Sequence, residues 1–85
     1  MNMIERIVAF AAAPHSLPEN VRADAALLLA DTLAGGAAGA ASREAAPLKA
    51  VVAGWGQGDE ARSLAGGTLP APSAAFFNAF SIHCL

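Results

Sequence analysis

Residues 18–39 read PENVRADAALLLADTLAGGAAG, and this stretch decides which fold the chain can adopt. It predicts one long helix from about residue 18 to residue 36 or 39, because apolar and small residues continue without an internal proline. At 100° per residue, the three leucines at 27–29 point in three different directions. A helix that is apolar nearly all round belongs in the middle of something larger. Gly35 and Gly39 add small-xxx-small spacing, which predicts close contact with another helix.

Polar residues add two features to this helix. Ser16 and Glu19 have capping-box spacing, which predicts that Ser16 caps the helix and that Glu19 reaches back toward it. Asp24 and Asp31 form a narrow acidic stripe, with their backbones separated by about 10 Å. That separation is long for a carboxylate pair sharing acid–base work, so the stripe is interpreted as a solvated or salt-bridged face.

Three further helices and a hairpin are predicted around the long helix. Residues 3–13 carry apolar side chains at helical spacing and stop at Pro14. A third helix is expected from residue 42 or 44 to residue 53, and a short extended hairpin from 61 to 69, turning at Gly66-Gly67. A fourth helix is expected over residues 73–85, with Phe76, Phe77, Phe80 and Cys84 on one face. The predicted fold class is all-α: about four helices with a short extended hairpin near 61–69.

Composition narrows the class of protein. Hydrophobic residues make up 55% of the 85 positions, which excludes a disordered chain. Alanine supplies 23 residues, and it favours closely packed helices because it forms helix well and adds little bulk. The net charge of -2 does not provide the excess of positive charge that nucleic-acid binding requires. Charged residues are only 14%, which is few for a free-standing domain of this size.

Sequence signals for metal, export and membrane insertion are weak. The single cysteine, Cys84, excludes an internal disulfide framework and is compatible with a reducing cytoplasm. A zinc site would need His15, His83 and Cys84 with carboxylates, but His83 and Cys84 point about 100° apart on a helix, so we expect no metal. Residues 1–13 only loosely resemble a signal peptide, and no stretch reaches the ~20 apolar residues of a spanning helix. We therefore expect a soluble, cytoplasmic protein.

The glycine motif after residue 53 and the two histidines could each have a catalytic role, but a structural role explains each of them more simply. Gly54-x-Gly56-x-Gly58 departs from the dinucleotide fingerprint, and no acidic residue follows Glu60, so it is interpreted as a helix break and a flexible loop. His15 is interpreted as an exposed turn residue. His83 lies on an apolar helix, where a hydrogen-bonded core histidine is the simplest interpretation. Ser81 and His83 diverge on that helix, so no Ser/His/Asp grouping is expected.

A resemblance to a known family covers residues 3–85. Its first part consists of Leu17-Pro18-x-x-Val21, Ala25, Leu29-x-Asp31-Thr32-Leu33 and Ala38-Gly39, which resemble the amino-terminal helices of the MmgE/PrpD family. Its second part consists of Leu64-x-Gly66, Leu69-Pro70-Ala71-Pro72, Ala75 and Asn78-x-x-x-x-His83. The family includes 2-methylcitrate dehydratase, cis-aconitate decarboxylase and iminodisuccinate epimerase. The resemblance implies a longer, usually homodimeric enzyme that acts on small polycarboxylates without an iron–sulfur cluster or other cofactor.

The resemblance also implies where catalysis would take place. In the family pattern, His83 would begin an H-x-x-D-x-D-D motif, and the chain ends at Leu85, before the first of its aspartates. The family's acidic, His and Lys active-site residues lie beyond that point. The resemblance therefore assigns a catalytic role to no residue of this chain. It implies only that His83 lies at the edge of the active site. We expect residues 1–85 to be a partial helical domain, an amino-terminal fragment with no second domain.

Two hypotheses of function remain, from different classes. The leading one is a scaffold segment of a polycarboxylate lyase, inactive alone, whose partner is the remainder of the enzyme or a second copy of the chain. The rival is a small helical oligomerisation or interaction protein without catalytic activity. A nucleotide-binding module is a third class, disfavoured by the imperfect glycine pattern. Because the long helix is apolar nearly all round, the isolated chain is expected to self-associate or to be molten.

Overall fold

Four helices and one two-stranded hairpin follow one another in the computed structural model, which describes all 85 residues. The elements are α1 (Met3–Ala12), α2 (Glu19–Ala40), α3 (Ala46–Gly54), β1 (Ala61–Arg62), β2 (Thr68–Leu69) and α4 (Ala71–His83). The predicted fold class, all-α with a short extended hairpin, is confirmed. None of the four helices is both long enough and apolar enough to cross a membrane.

The start of α2 differs from the sequence prediction. Pro18 occupies the N-cap position, and no side chain donates or accepts a capping hydrogen bond there, so the capping box predicted for Ser16 is wrong. The proline fixes the backbone in the extended conformation that precedes a helix, and this is sufficient to start it. A side-chain cap exists instead on α1, where Asn2 Oδ1 accepts a hydrogen bond from the Glu5 backbone N at 2.8 Å.

The other helix boundaries lie within a few residues of their predicted positions. Helix α3 begins at Ala46, later than predicted, because Ser42 closes a turn after α2: its hydroxyl donates to the Gly39 carbonyl and accepts from the Ala45 N–H. Helix α4 begins earlier than predicted, at Ala71, where the Glu60 carboxylate accepts from the first free N–H at 3.3 Å. It ends at His83 rather than at residue 85.

Helices α2 and α4 approach each other at glycine. A Cβ added at Gly39 would overlap the carbonyl oxygen of Ser81, and a Cβ added at Gly36 would lie 2.6 Å from Leu64 Cδ1. Nothing lies within 4 Å of the corresponding position at Gly35. The predicted close helix contact is therefore confirmed at Gly39 and wrong at Gly35, and Gly36 takes its place.

The core is small and lies where α2, α3, the hairpin and α4 meet. Its buried residues are Ala40, Ala45, Val52 and Phe77, and the half-buried Leu48, Leu64, Ala65 and Leu69 pack against them. Phe76, Phe77, Phe80 and Cys84 lie within about 100° of one another around the helix, as predicted, but they are not buried together. Phe77 is 1% exposed, whereas Phe76 is 53% and Phe80 38% exposed. Helix α4 is apolar on all sides, so its orientation follows from the contact with α2 and not from its own pattern.

The hairpin is formed as predicted. Strands β1 and β2 pair antiparallel, with Ala61 opposite Leu69 and Arg62 opposite Thr68. The turn contains Gly66 and Gly67, at φ values of 98° and 75°, which side-chain-bearing residues rarely adopt.

Most of α2 and all of α1 lie outside the core. Every residue from 1 to 35 is exposed, and α2 contributes buried residues only near its carboxyl end. This chain leaves most of α2 exposed, and the expectation that α2 belongs in the middle of something larger stays a prediction. The radius of gyration is 16.0 Å, against about 12 Å for a compact domain of 85 residues. The chain is extended because its first two helices find little to pack against.

Substitution of Gly39 and of Gly35 should distinguish the effect of close helix packing on stability from the effect of helix propensity. Gly39→Ala is expected to lower the free energy of unfolding by about 2 kcal/mol, because the added methyl must force α2 away from the Ser81 carbonyl. Gly35→Ala is the matched control, and it should raise stability by about 0.5–1 kcal/mol because the site is open and helical. Urea unfolding at one fixed chain concentration measures both, and equal effects would contradict the packing seen at Gly39.

Candidate functional site

The most prominent surface of the molecule is an apolar one that nothing in the chain covers. One part of it lies on α2, on the side of the helix that contacts α4 nearer the carboxyl end. We name this part the α2 face, and it consists of Val21, Ala25, Leu29 and Thr32. On α1 the surface consists of four residues at helical spacing, which we name the α1 stripe: Ile4, Ile7, Val8 and Ala11. Apolar surface of this kind on a small protein marks an interaction site.

The first half of the link between these two helices is held against the end of α1. The His15 ring lies 4.5 Å from the Phe10 ring, and His15 Nε2 lies 2.6 Å from the Phe10 carbonyl oxygen at the end of α1. Pro14 and Pro18 restrict the backbone of the link to extended conformations. The prediction that His15 is an exposed turn residue is confirmed, and its side chain also serves the carboxyl end of α1.

The acidic stripe of α2 lies away from the α2 face. Asp24 and Asp31 are both exposed, as predicted, and helical geometry places them about 100–160° around the helix from Ala25 and Leu29. The two aspartates can therefore stay in water while the α2 face is covered, whereas Arg22 lies about 20° from Leu29, at the edge of that face.

His83 does not lie in the core. Its side chain is exposed, so the interpretation as a hydrogen-bonded core histidine is wrong. Ser81 is completely buried instead, and its hydroxyl donates to the Phe77 carbonyl at 2.9 Å within α4. The two side chains diverge, as predicted. The assignment of His83 to the edge of a catalytic motif stays a prediction.

Cys84 lies between the ends of α2 and α4, a position that sequence reasoning did not indicate. The half-buried thiol is 3.5 Å from the Gly39 carbonyl oxygen and 3.6 Å from Ser42 Oγ. These contacts tie the two helix ends together. The His and Cys residues are not gathered into a metal site: no three His, Cys, Asp or Glu side chains are grouped so that they could hold an ion.

The glycine-rich loop borders the largest cleft, of about 600 Å³, which is lined by Ala53, residues 56–59 and β2. The loop follows helix α3 rather than a strand, as the interpretation of a helix break requires. A dinucleotide loop needs a preceding strand and a free helix N-terminus for the phosphates. Here the Glu60 carboxylate accepts a hydrogen bond from the first free backbone N–H of α4, and Asp59 adds a second negative charge in the cleft. These two negative charges disfavour the binding of a phosphate group.

Asn78 joins the hairpin to α4 through both ends of its side-chain amide. Its Oδ1 accepts from the Leu64 backbone N at 2.9 Å, and its Nδ2 donates to the Arg62 carbonyl at 3.0 Å. One amide thus satisfies a donor and an acceptor that the two-residue strands leave free. The sequence does contain a signal for this role, because an asparagine inside an otherwise apolar helix needs hydrogen-bond partners.

Comparisons with known proteins identify no relative. No family model matches the chain, and no curated protein and no solved structure matches it.

Loss of the Asn78 amide should loosen the hairpin. Asn78→Ala is expected to lower the free energy of unfolding by about 1–2 kcal/mol, because two backbone groups lose their partners. Asn20→Ala is the matched control: it changes the same residue type in an exposed position of α2, and it should change stability by less than about 0.5 kcal/mol. Urea unfolding measures the free energies, and hydrogen exchange at Leu64 N–H should accelerate in Asn78→Ala alone. Unchanged exchange at that amide would contradict the assigned role.

Proposed function

We propose that this chain is a helical scaffold segment of a cytoplasmic lyase acting on small polycarboxylates, a hydro-lyase of the 2-methylcitrate dehydratase type, and that it has no activity alone. The uncovered α2 face is the observation that carries the proposal. A scaffold helix of a larger enzyme exposes apolar side chains when its surroundings are missing, and Leu29 is 59% exposed on this face.

The positions of the residues that carry the family resemblance support the proposal. Leu64 and Gly66 lie in the hairpin, Leu69 and Pro70 connect the hairpin to α4, and Asn78 holds the hairpin against α4. The second half of the pattern therefore corresponds to a single structural unit.

The distribution of positive charge supports a role as scaffold rather than as active site. Elimination of water from a polycarboxylate needs a base for a carbon-bound proton and cations that bind the carboxylates. The basic side chains of this chain are all exposed and stand on different segments: Arg6, Arg22, Arg43, Lys49 and Arg62. Substrate binding would therefore depend on groups supplied by other parts of the enzyme.

A second candidate function is a small helical oligomerisation protein without catalytic activity. The observation that favours it is that the exposed apolar surface covers both α1 and α2, more than one docking helix requires. This candidate shares the uncovered surface with the lyase proposal but makes no use of His83.

Activity measurements distinguish the two candidates. The 85-residue chain should show no dehydratase activity on 2-methylcitrate or citrate, followed by the ultraviolet absorbance of the unsaturated product. Turnover should appear when the polypeptide encoded immediately downstream is supplied, either fused to the chain or as a separate chain. Turnover by the chain alone would contradict its role as scaffold, and an inactive fusion on a broad panel of polycarboxylates would contradict the lyase proposal.

Two histidine variants of the active fusion test the predicted position of the site. His83→Ala is expected to lower kcat/KM by at least about tenfold, because His83 would border the reacting groups. His15→Ala is the matched control, since this exposed histidine lies in the link after α1, and it should leave kcat/KM unchanged. Equal activities of the two variants would contradict the family alignment at His83.

A further inference from the structure

We infer that the chain is divided into an amino-terminal arm that opens by itself and a packed part that stays folded when the arm opens. The arm is residues 1–30, which contain α1 and the first three turns of α2, and the packed part is residues 36–84. Residues 31–35 of α2 form the transition between them. This division follows from the chain's own contacts, so it holds whichever candidate function is correct.

Burial is confined to one side of this division. All nine buried residues lie in the packed part: Gly36, Gly39, Ala40, Ala45, Val52, Ser73, Ala74, Phe77 and Ser81. Every residue of the arm is exposed, including large apolar side chains such as Phe10 at 71% and Leu28 at 69%. Burial of apolar surface is the main favourable contribution to folding. Opening of the arm exposes little additional apolar surface, so it should cost little free energy.

Side-chain hydrogen bonds are divided in the same way. In the packed part they join residues that are far apart in the sequence, as Asn78 does with the Leu64 backbone, 14 positions away. In the arm they join residues no more than five positions apart, as His15 does with the Phe10 carbonyl. Local bonds of this kind can break and form again without disturbing the packed part.

Helix formation alone gives the arm limited stability. Helix α1 has ten residues, and helices shorter than about 12–15 residues are marginal in water without tertiary packing. Helix α2 continues into the packed part, and each added residue extends a helix that is already nucleated there. The order of α2 should therefore be highest beside Gly36 and decrease toward Glu19, and α1 should be the least protected helix of the chain.

The contact between α2 and α4 does not depend on the arm. Gly39 meets Ser81 within the packed part, and the buried cluster around Phe77 also lies there. Opening of the arm therefore leaves the core unchanged. Elements that move on binding are drawn from the least stable parts of a protein. The arm is thus the part of this chain that can change conformation while the rest stays folded.

Hydrogen exchange of the complete 85-residue chain, measured by mass spectrometry at high dilution, tests the division. Relative to an unstructured chain, amides of α3 and α4 should exchange at least about 100-fold more slowly, and those of α1 less than about tenfold more slowly. Low concentrations of urea should accelerate exchange steeply in α4 and only slightly in α1, because opening of the packed part exposes more surface. Equal protection of α1 and α4, or an equal dependence on urea, would overturn the division.

Two alanine-to-glycine variants place the same change on either side of the division. Ala26→Gly, at an exposed position of the arm, should accelerate exchange near the start of α2 by up to about fivefold and leave α4 unchanged. Ala74→Gly is the matched variant at a position that is 1% exposed. It should accelerate exchange throughout α3 and α4 by at least about tenfold, because a buried methyl is also lost, and leave α1 unchanged. Acceleration of both regions by either variant would indicate one cooperative unit and overturn the division. The urea measurement on the unaltered chain does not depend on whether Ala74→Gly folds.

Discussion

The close approach of α2 to α4 at Gly39 is the constraint on which the remaining tertiary structure depends. The Ser81 carbonyl oxygen lies where a side chain at this position would begin, so only glycine allows the two backbones to meet. The buried Ser81 hydroxyl donates to the Phe77 carbonyl of its own helix, so it needs no hydrogen-bond partner on α2. With α4 held in this orientation, Phe77 points to the centre, where Ala40 and Val52 meet it.

The hairpin depends on a polar contact, because the core alone is too small to hold it. A hairpin with strands of two residues is not stable by itself in water. Asn78 supplies the missing support by bonding to both sides of the hairpin backbone, at Arg62 and Leu64. Leu64 then covers Gly36 of α2, so the hairpin in turn closes one side of the contact between α2 and α4. The apolar and the polar contacts therefore support each other.

The sequence predicted the elements well and their packing poorly, for a physical reason. Prolines restrict the backbone locally and glycines permit the positive φ values of a tight turn, so the four helices and the turn at residues 66–67 could be located from them. The buried side of α4 could not, because this helix is apolar all round and its orientation is set by a glycine on another helix. For the same reason Phe77 was grouped with Phe76, although only Phe77 is buried. The exposure of His83 follows from the same orientation.

Helix α1 and the first half of α2 lack tertiary packing within the chain. A ten-residue helix such as α1 is marginal in isolation, and packing of its apolar side is what stabilises a helix of this length. Neither α1 nor the first half of α2 receives such packing within the chain. The carboxyl half of α2 is continuous with the exposed half, and through Gly39 it contacts Ser81 and Cys84 on either side of His83. Any partner that covers the α2 face therefore packs on the same helix whose carboxyl end contacts the residues beside His83.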